Sequence, residues 1–255
     1  MKRSVWLYCA VICAACGSSD SETTVFGETA MVYGQPVKTF AVVQGSTVVQ
    51  AGIIIPKAVG AAAMSQPGGT IDGWGPLAYP AQVKASTVLD HATMDFYHDG
   101  IGAPWAQAFF GSHSFMIDAA TQMGVKCPAT ASPTTAEVPT KYMVLGLGAF
   151  PNGGCIAAEG LHAVDTAAPE MQTPAQPFTV NMWIGYSPTN GHMTFFESFI
   201  TAAFISTGTS YEEDVRAPST FPPSASGKEF PGRYHVTLDS NNNWNLYFDS
   251  FVKVP

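Results

Sequence analysis

The 255-residue chain carries 19 acidic against 11 basic side chains, with 46% hydrophobic and 12% charged residues. Charged content is half the usual ~25%, and aromatic residues are plentiful, which excludes a disordered chain. A net charge of −8 excludes a nucleic-acid binder working through a basic face. The length suits one large domain or two small ones.

Lys2 and Arg3 precede an uncharged, mostly apolar run from Ser4 to Ala15. Twelve helical residues span about 18 Å, short of a ~30 Å hydrocarbon core, so residues 1–15 read as a signal peptide rather than an anchor. Small residues before Cys16, and Gly17-Ser18-Ser19 after it, read as a lipoprotein processing site, with Cys13 where such sites usually carry Leu. Cys16 is then the lipidated residue, and residues 16–24 form a polar tether. With Gly17 rather than Asp after Cys16, the expected address is the outer membrane, reached through the lipid. Cleavage after Ala15 and simple secretion is the alternative. Once the leader is removed and Cys16 lipidated, Cys127 and Cys155 remain, and an oxidising compartment favours their pairing. That bridge closes a loop of about 28 residues, worth roughly 3 kcal/mol by chain entropy.

From residue 25 the dominant signal is strand-like. Residues 38–44, Gly45-Ser46 and residues 47–55 read as a hairpin ended by Pro56. Residues 57–64 read as a short Ala-rich helix, and 66–80 as a Gly/Pro-rich loop. Residues 83–97 and 108–117 read as strands, the second broken by Gly111, and 128–140 as a loop inside the cysteine bracket. Residues 178–186 and 192–201 form the clearest hairpin, followed by a helical turn over 202–206. Residues 217–232, with four prolines, read as a long loop before a terminal hairpin, 233–238 with 244–252. No βαβ rhythm and no glycine-rich phosphate loop is present. The expected fold class is α+β: a mainly antiparallel β single domain over 25–255 with a few short helices.

Several runs carry a family resemblance: Gly160-Leu161-His162-Ala163-Val164-Asp165, Gln176-Pro177-Phe178-Thr179, Trp183-Ile184-Gly185-Tyr186 and Phe195-Phe196-Glu197-Ser198-Phe199-Ile200-Thr201. With His113-Ser114-Phe115-Met116-Ile117 upstream and Phe230-Pro231 downstream, their serial order resembles the TTHB-type domain, an uncharacterised family of exported bacterial proteins. Phe109 stands where the family carries a first histidine, Ala163 where it carries Trp, and Ser198 where it carries Pro. The resemblance implies export and brings no activity with it.

One histidine or carboxylate comes from each of three of these runs: His113, His162 and Glu197. Two imidazoles and a carboxylate can hold a divalent metal, zinc among them. They can equally place a histidine base beside a carboxylate, or simply hydrogen-bond one another in a strand-rich core. His98 is a candidate fourth member. Asp239-x-Asn241-x-Asn243 starts like a calcium loop, but Trp244 replaces its glycine and Ser250 its final Glu, so a hairpin turn is expected. Glu212-Glu213-Asp214 reads as a solvated acidic cluster or a helix start, and Trp74, Trp105 and Trp244 as loop aromatics that pack or stack on sugars. Hydrolase and kinase signatures (GxSxG, HExxH, SxxK with KTG, Walker) are absent. The expected function is therefore a lipid-anchored binding or structural module with a small-ligand or metal site. An enzyme using the His/Glu cluster and an envelope homo-oligomer are the alternatives.

Overall fold

A computed structural model describes residues 21–69, 71–145 and 154–255. The expected signal peptide, Cys16 and residues 17–20 of the expected tether lie outside the described residues. Strands β1 (Glu22–Val32), β2 (Gln35–Gln44) and β3 (Thr47–Pro56) form an antiparallel meander, so the last three tether residues already belong to a strand. Helix α1 (Ala58–Met64) is followed by β4 (Ile71–Ala78), α2 (Ala81–Ser86), β5 (His91–Tyr97) and β6 (Phe109–Phe115). Helix α3 (Ala119–Met123) starts at Asp118, whose carboxylate accepts the Thr121 N–H at 2.8 Å. Then come β7 (Tyr142–Val144), β8 (Cys155–Ile156), β9 (Gly160–Asp165), β10 (Val180–Tyr186) and β11 (Met193–Thr201). Helix α4 (Ala202–Thr207), β12 (Tyr211–Asp214), β13 (Glu229–Phe230), β14 (Arg233–Leu238), β15 (Asn243–Asp249) and β16 (Val252–Lys253) complete the described chain.

Two antiparallel sheets carry the structure. One has six strands in the order β1-β2-β3-β15-β14-β12; the other has eight, in the order β4-β5-β6-β11-β10-β9-β7, with β8 also paired to β9. The mainly antiparallel expectation holds. The α+β label is loose, because the helices are single short turns of five to seven residues that form no layer of their own. All three expected hairpins form in the expected register region. Three local expectations fail. Residues 71–78 of the expected loop pair with β5 as β4, and the supposed strand from Val83 begins as helix α2. The acidic run Glu212-Glu213-Asp214 is strand β12 rather than a helix start, with Glu212 and Asp214 solvated as expected and Glu213 partly buried.

Every residue of β6, β9, β10 and β11 is buried. These are central strands covered on both faces, which leaves few positions for charge and accounts for the low charged fraction. Because successive side chains point to opposite faces, each strand contributes to two different environments. Phe110, Ile184, Phe196 and Ile200 join the main core, where the Phe196 ring meets Phe248 of the six-stranded sheet at 5.1 Å. Phe109, Trp183 and Phe199 face the other way, into a second cluster with Tyr97, Trp105 and Phe178. The Cys127–Cys155 disulfide forms, with Cα atoms 5.9 Å apart, and ties the segment after α3 to β8 beside that second cluster.

Candidate metal centre

Register places three of the four candidates together. Glu197 of β11 lies directly opposite His113 of β6 on one side and Trp183 of β10 on the other. His162 of β9 lies opposite Gly185 of β10, one pleat further along. All three side chains leave the sheet on the face away from the six-stranded sheet, and all are buried. Two glycines make the space. A Cβ on Gly185 would sit 1.9 Å from the Phe195 ring, which lies between the two histidines with its centroid 5.1 Å from each. A Cβ on Gly111 would sit 2.8 Å from Glu197 Oε1.

A fourth member, Glu159, enters from the turn between β8 and β9, where its N–H donates to Ile156 O at 3.2 Å. The imidazoles and carboxylates alternate in a closed ring. His113 Nε2 lies 3.2 Å from Glu197 Oε1 and 3.6 Å from Glu159 Oε2. His162 Nε2 lies 3.3 Å from Glu159 Oε2 and 3.4 Å from Glu197 Oε2. Charge-assisted hydrogen bonds are usually about 2.7–2.9 Å. Two donors at about 2.1 Å from a tetrahedral ion are about 3.4 Å apart, close to the 3.6 and 3.3 Å from Glu159 Oε2 to the two imidazole nitrogens. His113 Nε2, Glu159 Oε2 and Glu197 Oε2 are fully buried and find no hydrogen-bond partner among the described residues. The ligand-capable atoms of His113, Glu159 and His162 all lie within 4.8 Å of one another.

The outer nitrogens are occupied. His162 Nδ1 lies 3.1 Å from Gly154 O, which can only accept, so Nδ1 carries the hydrogen and Nε2 presents a lone pair when the ring is neutral. His113 Nδ1 lies 3.3 Å from Asp95 Oδ2 and 3.3 Å from Thr93 Oγ1. This is the outer-shell arrangement that orients ligating imidazoles. Burial opposes protonation of His113, but Glu197 and Glu159 outweigh it and hold its pKa well above the ordinary value. Burial likewise opposes protonation of His162, and Glu159 and Glu197 push it up to about 9. Burial acts to raise the Glu159 carboxyl, but the two histidines hold it well below the usual range. The pocket strongly favours positive charge at its centre.

An apolar cavity of about 430 Å³ opens on one side, reaching His162 and Glu197. His98 is not part of the centre: it follows β5 and turns its Nε2 to Asp72 Oδ2 at 3.0 Å. Glu159 was missed by sequence reasoning. The available signal was its place three residues before His162, a spacing that meets across a hairpin turn as well as along a helix. Asp239 closes a hairpin turn, accepting the Asn241 and Asn243 N–H groups at 2.8 and 2.9 Å, and Asn242 has positive φ. Trp105 and Trp244 are buried, donating to Glu170 and to Ile205 O, so neither is a surface platform for sugars.

Fold and site define a β-rich protein with a buried His/Glu centre under an apolar cavity. Compared with family models, curated proteins and solved structures, the chain matches none.

Proposed function

We propose that this chain is a divalent-metal-binding protein of the cell envelope, in which His113, Glu159 and His162 hold the ion and Glu197 stands beside it at the cavity. The observation that carries the reading is that the ligand-capable atoms of His113, Glu159 and His162 lie within 4.8 Å of one another, while three buried polar atoms of the cluster, His113 Nε2, Glu159 Oε2 and Glu197 Oε2, make no hydrogen bond among the described residues. A buried polar atom without a partner costs roughly 1–3 kcal/mol, and more when charged, so three at one place call for a shared ligand. Two imidazoles with carboxylates suit zinc and neighbouring first-row ions. The leader and lipidated Cys16 belong to the same proposal, as does membership of the TTHB-type family. The Cys127–Cys155 bridge supports an oxidising compartment.

Metal analysis of protein purified without chelator or added metal tests this reading. The expected content is about one transition-metal ion per chain, falling below a tenth in the His113→Ala/His162→Ala double variant. Protein that stays below a tenth of an equivalent even after incubation with zinc sinks the proposal. A second reading, an enzyme using the same cluster, is favoured by the cavity that reaches His162 and Glu197. Binding is the primary reading because His113, Glu159 and His162 account for a held ion without requiring turnover.

A further inference from the structure

The cavity touches the centre on one side only. His162 and Glu197 line it, whereas His113 and Glu159 stand behind them. Its walls are apolar: Tyr97, Ile101, Leu145, Trp183 and Phe199, with the Cys127–Cys155 disulfide and Ile156 completing the lining. A space of about 430 Å³ is within the range of small-molecule sites, and such sites combine apolar walls with a few polar groups that orient the ligand.

Charge decides what those polar groups select. A divalent ion with Glu159 and Glu197 sums to zero, and ligating imidazoles are neutral. Asp95, behind His113, adds a further negative charge 3.3 Å from the ring. An anion entering the cavity would leave net negative charge in apolar surroundings, and a cation would meet the ion itself; both are costly. A neutral molecule with an oxygen lone pair incurs neither cost. Glu197 adds a second requirement. It turns one oxygen to each histidine, so the oxygen that the ion does not take remains a buried acceptor beside it. A ligand that places an N–H next to its carbonyl satisfies both.

We propose that the cavity binds a neutral carboxamide with an apolar, ring-sized substituent, its carbonyl oxygen turned to the metal and its N–H to Glu197. The inference rests on the metal-binding reading. Cobalt-loaded protein tests it, because visible Co(II) bands change when a ligand enters the coordination shell, and benzamide and benzoate are near-isosteric probes that differ in charge. Benzamide is expected to change the spectrum saturably, with at least tenfold higher affinity than benzoate. Ile101→Trp, which fills the cavity from a half-buried loop position, is expected to weaken benzamide at least tenfold while the ligand-free cobalt spectrum stays as it was. Ile156→Trp does the same from a second lining position, at a residue 44% exposed and so tolerant of replacement. A cobalt spectrum that neither probe alters, benzoate binding as tightly as benzamide, or benzamide binding that both fillings leave intact overturns the inference and leaves the metal centre standing. Failure of cobalt to bind overturns the metal reading, and this inference with it.

Discussion

The two faces of the eight-stranded sheet are equally buried and chemically opposite. On the face towards the six-stranded sheet, the central strands β6 and β11 present serines, and local partners satisfy Ser114 and Ser198. Tyr79 Oη and Ser114 Oγ are 2.8 Å apart, and Ser198 Oγ donates to Ser112 O at 3.4 Å. On the other face, the same strands present His113, Glu197 and His162, and His113 Nε2 and Glu197 Oε2, with Glu159 Oε2 from the adjoining turn, make no hydrogen bond among the described residues. A hydroxyl rotates to find an acceptor; an imidazole or carboxylate fixed by its sheet cannot. Burial therefore does not mark the functional face. Fixed polar groups aimed at one another without hydrogen bonds do.

The largest effect separates stability from binding. Phe196→Ala removes a ring that is 1% exposed and packs against Phe230 and Phe248, and is expected to cost about 3–5 kcal/mol in denaturant unfolding. Metal content per folded chain should not change; if it falls with stability, the two faces are not independent. Metal removal comes next. An ion held at 100 times its Kd stabilises the fold by about 2.7 kcal/mol, which lowers Tm on chelation by roughly 5–10 °C for a chain of this size. The His113→Ala/His162→Ala variant should show no chelator response, and a response there would place the ion elsewhere. A smaller effect is expected for Gly111→Ala, whose new Cβ would meet Glu197 Oε1 at 2.8 Å. The carboxylate end can move, so stability should change by about 1 kcal/mol or less while metal affinity drops about tenfold. Unchanged affinity would remove Glu197 from the centre.

Much of this contrast was legible in the sequence. Hairpins at 38–55, 178–201 and 233–252 follow from strand-rich runs interrupted by turn residues, and the buried β6 and β11 read as apolar runs with a few polar interruptions. Those interruptions, His113 and Glu197, were the site candidates, and pairing across the β6–β11 register makes them neighbours. Glu159 was not legible, because its role depends on a three-residue turn that carries it back over His162. His98 misled for the converse reason. Closeness to Asp95 in sequence says nothing about face, and three residues along an extended chain put His98 on the opposite side from Asp95. Strand β4 was hidden by its Gly and Pro residues: Gly73 pairs with Asp95 at the sheet edge, and Gly75-Pro76 fall in a register shift between Trp74 and Leu77.

A third polar region, where β12 comes against the end of β9, sharpens the comparison at the smallest scale. Like the outer face it is ionisable, but here the chain supplies the cation: Arg216 pairs with Asp165. Glu213 sits beside that pair, and burial pushes its carboxyl up to about 7; Tyr211 opposes the shift, Asp165 and Glu170 add to it, and Arg216 reduces it. A raised carboxyl pKa means that the folded state holds the proton more tightly than the unfolded chain. The associated stability is fully present below about pH 4.5 and is lost as pH rises through about 7. At about 1.4 kcal/mol per unit the ceiling is near 3 kcal/mol, but Glu213 is only partly buried, and screening reduces the expected loss to about 1 kcal/mol. Glu213→Gln cannot ionise, so its stability relative to the parent should rise by that amount between pH 5 and pH 8, with other titrating groups cancelling in the difference. Parallel profiles would mean that Arg216 neutralises the whole cluster. A region with its own cation would then show no titration, leaving the His113–Glu197 face as the place where buried charge still calls for an ion from outside.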